Sequence, residues 1–416
     1  MNIKSLIGGM LILATSVYSH AGRFERSGEQ RDKLIKGASV WADPGDISKK
    51  DMVKGPGKKY APGQNISCTF YDTYYKELQG TGKTAKFWCI EDGKDPETEA
   101  IKIKYGSGNG EIYGEVISSR LLWALGFYAD KNYPITADCK NCPPDPWGYL
   151  NKMAEYKALE NRNNDRADSR RDSLAQDLLR QQKIRKDLNE KSMKETGKPY
   201  AVHYDPAATE TKFKGKAIYL KGQEKAGFGL NELGKIEESA GGSTRAQIDG
   251  LKLMLAFIKH SDNKPENQRF VCPDENAVLD EKGEMVDCKQ AAVVIQDVGA
   301  TMGNGATMAL GFIGGIHAEA KVDLNSWKKT PVWRDRANCV TNLNKQFNGS
   351  MGDTKISEAG RKFLADLLSQ LTDQQLLDLF TVAKVEARSG GQSKAQDWVT
   401  VFKAKRDEIV SAKCGE

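Results

Sequence analysis

Apolar positions recur along this chain at two periods, and each period predicts its own kind of element. Ile248, Leu251, Leu255 and Ile258 fall at helical spacing behind a capping box made by Thr244 and Gln247, which predicts a core helix ending just before His260. Val116, Leu121, Leu122 and Leu125 predict a second helix over 111–126, with Gly126 as its stop. Near the C-terminus, Leu364, Leu367, Leu368 and Leu371 follow Ile356-Ser357-Glu358. The stretch Thr372 to Gln375 then caps another helix carrying Leu376, Leu377, Leu379 and Phe380. Alternation at period two marks Lys86 to Ile90 and Glu99 to Tyr105, two runs joined by the turn residues Glu91 to Pro96, as an antiparallel pair. Ala217 to Leu220 reads as a further strand, and Ala291 to Ile295 as a fully buried one. Strands with one helix, followed by a run of helices, place the chain in the α+β class.

Polar stretches separate these elements. Residues 22–64, with Pro44, Pro56 and Pro62 among Gly and Lys, read as an irregular arm. Residues 151–200 are dense in charge with scattered Leu174, Leu178, Leu179 and Leu188. They predict a charged, solvent-facing helical insertion, in which 151–195 is a possible docking surface for a protein partner. There is no internal repeat.

Composition narrows the class further. A chain of 416 residues with 39% hydrophobic residues can bury a large core in one big domain or two lobes. The formal net charge of +6 is modest for this length, and no stripe of basic and aromatic residues accompanies it, so nucleic acid is not an expected partner. Lys4, the apolar run from Leu6 to Val17, and Ser19-His20-Ala21 have the form of a signal peptide with cleavage after Ala21, which predicts a secreted or periplasmic protein. No later segment has the uninterrupted apolar length of a membrane span. All eight cysteines lie beyond Ala21, an even number that in an exported chain reads as disulfides. Pairing sequence neighbours gives Cys68 with Cys89, Cys139 with Cys142 and Cys272 with Cys288, and leaves Cys339 with Cys414.

Two short motifs invite a chemical reading and are set aside. Gly80-Thr81-Gly82-Lys83-Thr84 lacks the glycine that a Walker phosphate loop needs five positions before Gly82, where Glu77 stands, so it reads as a hairpin turn. Cys139-Lys140-Asn141-Cys142 has no second cysteine pair or histidine pair at zinc spacing, which favours a local disulfide over a metal.

The stretch that organises the rest is His260-Ser261-Asp262-Asn263-Lys264-Pro265-Glu266-Asn267, directly after the core helix. With the buried strand ending in Gln296-Asp297-Val298-Gly299, it resembles the H-R-D-x-K-x-x-N catalytic loop and the D-F-G element of the protein-kinase-like superfamily, and especially its divergent exported members. Ala100-Ile101-Lys102 resembles that family's V-A-I-K strand, and Lys104 shares its strand face. The resemblance covers roughly Lys86 to Gly305 in four short motifs, in order.

The resemblance implies a two-lobed, disulfide-stabilised fold. A small β-rich N-lobe with one helix would span 65–150, and a larger, mainly helical C-lobe would span 201–416 with its loops at 260–267 and 297–299. It implies transfer of a phosphoryl group from ATP, with Mg²⁺ or Mn²⁺, to a protein or small-molecule hydroxyl. Asp262 would orient the hydroxyl as base, Lys264 would neutralise charge on the transferred group, and His260 would brace the loop. Asn267 and Asp297, two oxygen ligands on separate loops, would converge on the metal. Lys102 or Lys104, held by Glu115 with Glu111 in reserve, would position the nucleotide.

The chain departs from the family pattern at three places: Ser261 replaces Arg, no G-x-G-x-x-G precedes the lysine strand, and no A-P-E follows Gly299. Nucleotide grip and acceptor docking must therefore differ from those of ordinary protein kinases. A catalytically inactive pseudokinase serving as a binding or scaffold module in the cell envelope is the alternative. An exported disulfide-rich protein of another kind is the third reading.

Overall fold

The computed structural model describes residues 24–72, 84–95, 99–160, 165–303, 322–343 and 348–415. The signal-peptide stretch and the Gly80 to Lys83 turn lie outside them. The expected irregular arm contains regular structure: strand β1 (Phe24–Arg26) and helix α1 (Gly28–Lys36). Ser27 and Gln30 close a reciprocal capping box on α1, and the helix buries Ile35 completely. One well-capped turn and one anchored apolar residue outweigh the polar composition that hid this helix. Beyond it the arm threads through the molecule by its backbone, bridging Ser39 to Ala292 and Trp41 to Phe127.

A closed barrel follows, built from β2 (Gln64–Phe70), β3 (Lys86–Glu91), β4 (Ile101–Tyr105), β5 (Lys131–Lys140) and, farther on, β6 (Ala201–Thr211), in the order β2-β3-β4-β6-β5. The expected antiparallel pair is β3 with β4, in a register that sets Lys86 opposite Lys104. Phe70, Phe87, Ile103 and Ile135 fill the barrel, and Cys68–Cys89 and Cys139–Cys142 are bonded. The boundary expected near residue 200 is displaced, because β6 closes the barrel by pairing with both β4 and β5.

Between β4 and β5 runs helix α2 (Gly110–Ala124), capped by Asn109 and buried on nearly every face. Its apolar residues Ile112, Val116, Ile117 and Leu121 join the larger of the two main cores, while Glu111, Glu115 and Arg120 are buried beside them. Between β5 and β6 the charged insertion forms α3 (Pro146–Leu159) and the long α4 (Asp165–Thr196). It is less solvent-facing than its composition suggests, since Ala154 and Leu178 lie in the barrel core and Met153 and Tyr156 pack against it.

The second half starts with β7 (Lys216–Leu220) and α5 (Arg245–Phe257), whose Thr244–Gln247 capping box forms as expected. Then come β8 (Gln268–Cys272), β9 (Ala277–Leu279), β10 (Met285–Cys288) and β11 (Ala292–Ile295). Strands β1, β7, β8 and β11 make one sheet, in which β8 and β11 are antiparallel partners. The long excursion between them is closed by Cys272–Cys288. Short elements α6 (Leu324–Lys329), β12 (Trp333–Asp335) and β13 (Val340–Thr341) lead to α7 (Glu358–Ser369), α8 (Asp373–Val382), α9 (Val385–Arg388) and α10 (Ala395–Val410). Leu251, Leu255 and Phe257 of α5 share the larger core with Leu364, Leu368, Phe380, Trp398 and Phe402 of these helices. Cys339–Cys414 ties the last residues to this core across 75 positions. The chain is thus α+β with four disulfides, and no helix among the described residues is long and apolar enough to cross a membrane.

Candidate functional site

The site begins at Lys104, a lysine on β4 whose side chain is only 4% exposed. Its Nζ donates to Glu111 Oε2 at 2.8 Å and to Glu115 Oε1, and it stands 3.7 Å from Asp297 Oδ1. Glu111 and Glu115 are one helical turn apart on α2, so both face the strand. Burial alone would oppose the charge on Lys104. Glu111, Glu115, Asp297 and Glu210 outweigh it and raise Lys104 well above an ordinary lysine. Glu115 is pushed up to about 7, chiefly by burial, which Lys104 only partly offsets and which Glu210 reinforces.

Sequence left open which lysine meets Glu115, and the geometry gives Lys104. Lys102, on the same strand face, pairs with Glu210 of β6 at 2.7 Å, and Glu210 also pairs with Lys212. Glu111, the reserve in the sequence reading, is a full partner, and it also accepts from Thr84 Oγ at 2.7 Å.

The two loops expected to work together meet at one end of the β8/β11 hairpin. Gln268 pairs with Ile295, so the residue before one strand and the residue after the other become neighbours. Gln296 N donates to Asn267 O at 3.0 Å, and Gln296 Nε2 to Glu266 O at 2.6 Å. Asp297 follows with φ +51°, in the left-handed region, where an L-residue is held at a cost of roughly 1 kcal/mol. Gly299 has a steric reason to lack a side chain, because a Cβ there would lie 2.7 Å from Glu111 Cβ and Cγ. Gly114 is equally confined, since its Cβ would lie 2.4 Å from Gly299 O. The Asp297 loop and the Glu111 end of α2 are therefore pressed together backbone to side chain.

Within the first loop, Asp262 is about one-fifth exposed and Lys264 Nζ stands 3.5 Å from its Oδ2. Asn267 is buried and donates through Nδ2 to Asp262 O at 2.5 Å, which leaves its Oδ1 as the free face of the amide. His260 is completely buried, with its Nε2 3.4 Å from Gln268 Nε2 and its Nδ1 without a partner among the described residues. Burial pushes it down to about 4, against the pull of Asp262 and Asp297, so it is a neutral imidazole behind the loop. The brace that sequence missed is Asn263. Its amide donates to His260 O at 3.1 Å and Met351 O at 2.8 Å and accepts from the amides of Ser350 and Met351, both at 2.8 Å. No periodicity or motif marks a residue whose partners lie 87 and 88 positions away.

Among the described residues one group of carboxylates could serve a cation. Glu111, Glu115 and Asp297 bring ligand atoms within 4.8 Å of one another. Their shared space is already occupied by the Lys104 ammonium, which would repel a divalent ion bound in the same place. Asn267 and Asp297 stand on the two loops that the Gln296–Asn267 backbone bond joins. A cavity of about 620 Å³ between α6 and α10, lined by Lys328, Arg388, Trp398 and Lys405 among others, contains none of these residues.

Comparison with protein-family models, with curated proteins and with solved structures finds no match to this chain.

Proposed function

We propose that this chain is an exported, kinase-like phosphotransferase that moves a phosphoryl group from a nucleotide, with Mg²⁺ or Mn²⁺, to a hydroxyl of a protein or small molecule. The observation that carries this reading is the convergence of Lys104, Glu115 and Asp297. A buried strand lysine, a buried carboxylate on the following helix and the half-exposed acid of a D-x-G loop come from three separate parts of the chain and meet in one cluster. The backbone bond between Gln296 and Asn267 supports it further, since it brings the loop of Asp262, Lys264 and Asn267 to the same place. The barrel, with the helices that run between its strands, would act as the smaller lobe and the helical half as the larger one. Four disulfides agree with an oxidising compartment.

In this reading Asn267 and Asp297 would hold the metal, which would supply positive charge against the phosphates. Lys104 fixes α2 against the barrel and steadies the nucleotide side of the site. Asp262 accepts the proton of the hydroxyl. Lys264, on the same loop, screens charge that develops on the transferred group. Neutral, buried His260 positions this loop and moves no proton.

The second reading is a pseudokinase that keeps the cluster as a binding module. It is favoured by the Lys264–Asp262 pairing, which competes for the carboxylate that must take a proton. Transfer of ³²P from γ-labelled ATP to the oxidised protein or to added acceptors, compared with Asp262→Asn, separates the two. Transfer that the variant loses supports the enzyme. Metal-dependent nucleotide binding without transfer in either protein supports the binding module.

A further inference from the structure

We infer that Lys86 is a second anion-binding residue of this site, and that it grips the polyphosphate of the bound nucleotide where Lys104 cannot. The inference rests on the phosphotransferase reading for the nucleotide. The anion site itself rests on the surroundings of Lys86.

Lys86 opens β3 and stands directly opposite Lys104 on β4. Directly opposed residues project on the same sheet face, with Cβ atoms roughly 5 Å apart, and two like charges in that relation repel. Three carboxylates surround the pair, but their contacts go to Lys104: Glu111 at 2.8 Å, Glu115, and Asp297 at 3.7 Å. Glu111 spends further hydrogen-bonding capacity on Thr84. Lys86 is 7% exposed, and among the described residues its Nζ makes no hydrogen bond and no ion pair. It stands over the ring of Trp147, whose centroid is 5.0 Å from Nζ, while Glu111 and Asp297 attract its charge without an ion-pair contact. That ring is held in place because Trp147 N donates to Tyr105 Oη at 3.2 Å, at the first turn of α3.

A cation–π contact offsets only part of the penalty of burying an ammonium without a counter-ion. Burial, then repulsion by Lys104, accordingly lowers Lys86 to about 8. A structural lysine would be expected either to snorkel into water or to find a carboxylate. Lys86 is only 7% exposed and pairs with no carboxylate among the described residues, and it sits on the same face as the Lys104 and Asp297 cluster. A phosphate chain meeting the metal ligands on one side would supply the missing counter-charge on the other. Lys104, committed to two glutamates, then acts chiefly as the anchor of α2, and the contact with phosphate oxygens falls to Lys86.

The test is titration calorimetry of the oxidised full chain with Mg·ATP, inorganic tripolyphosphate and adenosine, comparing wild type with Lys86→Met and Lys86→Arg. Removal of one charge-assisted contact should weaken Mg·ATP and tripolyphosphate by about tenfold to a hundredfold in Lys86→Met. Lys86→Arg should keep most of the affinity, and adenosine should be indifferent to both. Because Lys86 is unpaired, Lys86→Met should melt no lower than wild type, which shows that it folds. If Lys86→Met binds Mg·ATP as wild type does, the assignment of Lys86 is wrong and the nucleotide reading stands. If wild type binds tripolyphosphate through Lys86 but not Mg·ATP, the anion site stands and the nucleotide reading fails. If wild type binds neither, both are overturned.

Discussion

Replacing Lys104 with methionine should expose how strongly the cluster depends on one ammonium. The substitution keeps the length of the side chain but leaves Glu115, 3% exposed, and Glu111 without their shared cation. Removing one partner of a buried pair costs on the order of 3 to 5 kcal/mol. The pH dependence carries the more particular signature. Glu115 binds its proton up to about 7 in the folded chain and only near 4.5 when unfolded. Over that window the native state holds more protons than the unfolded state, so stability falls as pH rises, and above 7 the wild-type contribution is flat. Without Lys104 the folded carboxyl must keep its proton to higher pH, and the decline continues. The cost of Lys104→Met should therefore be level between pH 6 and 7 and then grow by up to about 1.4 kcal/mol per pH unit to pH 9. Lys104 itself, raised well above 10.5, stays charged throughout this range. Urea unfolding of the oxidised protein at each pH measures it, with Lys104→Met/Glu115→Gln as the control that should remove the extra slope. A cost under about 1 kcal/mol that does not change between pH 6 and 9 is what a solvated surface pair gives, and it would refute the buried-cluster argument.

Other consequences follow from the same geometry. His260 is held near 4 against an ordinary value of 6.5, so its contribution to stability is complete above 6.5 and is lost as pH falls toward 4. The loss is on the order of 3 kcal/mol, and unfolding curves of His260→Gln should lack that segment of the pH profile. Gly299→Ala puts a Cβ against Glu111 and should destabilise the chain by about 1 to 3 kcal/mol, read as a lower melting temperature.

The periodic elements were legible because their signals are local. Helix α5 carries its own capping box, β3 and β4 alternate, and the Cys68–Cys89 and Cys272–Cys288 pairs join cysteines only 21 and 16 positions apart. Helix α1 was missed because its apolar side is narrow and its cap lies in a polar stretch. The barrel was missed because its closing strand β6 comes after two helices. In the site, Asp262, Lys264, Asn267 and Asp297 stand in motifs, whereas Asn263 acquires its bracing contacts only from partners that the fold delivers, and the position of Lys86 opposite Lys104 comes from strand register. Register is what tells Lys104 from Lys102: one faces α2 and the other faces Glu210. The only sequence signal for Lys86 was its place at the start of the strand next to the lysine strand.

The central claim is that Asp297 and its neighbours form a metal-dependent nucleotide site, and the melting temperature of the oxidised chain with ATP tests it most directly. Wild type should gain stability with millimolar ATP plus Mg²⁺ or Mn²⁺ and gain little with ATP and a chelator, as mass action requires of a ligand that binds only the folded state. Asp297→Ala, which removes a side chain about half exposed, should fold and lose the metal-dependent shift. No shift of wild type at millimolar nucleotide, or an equal shift in Asp297→Ala, would contradict the account.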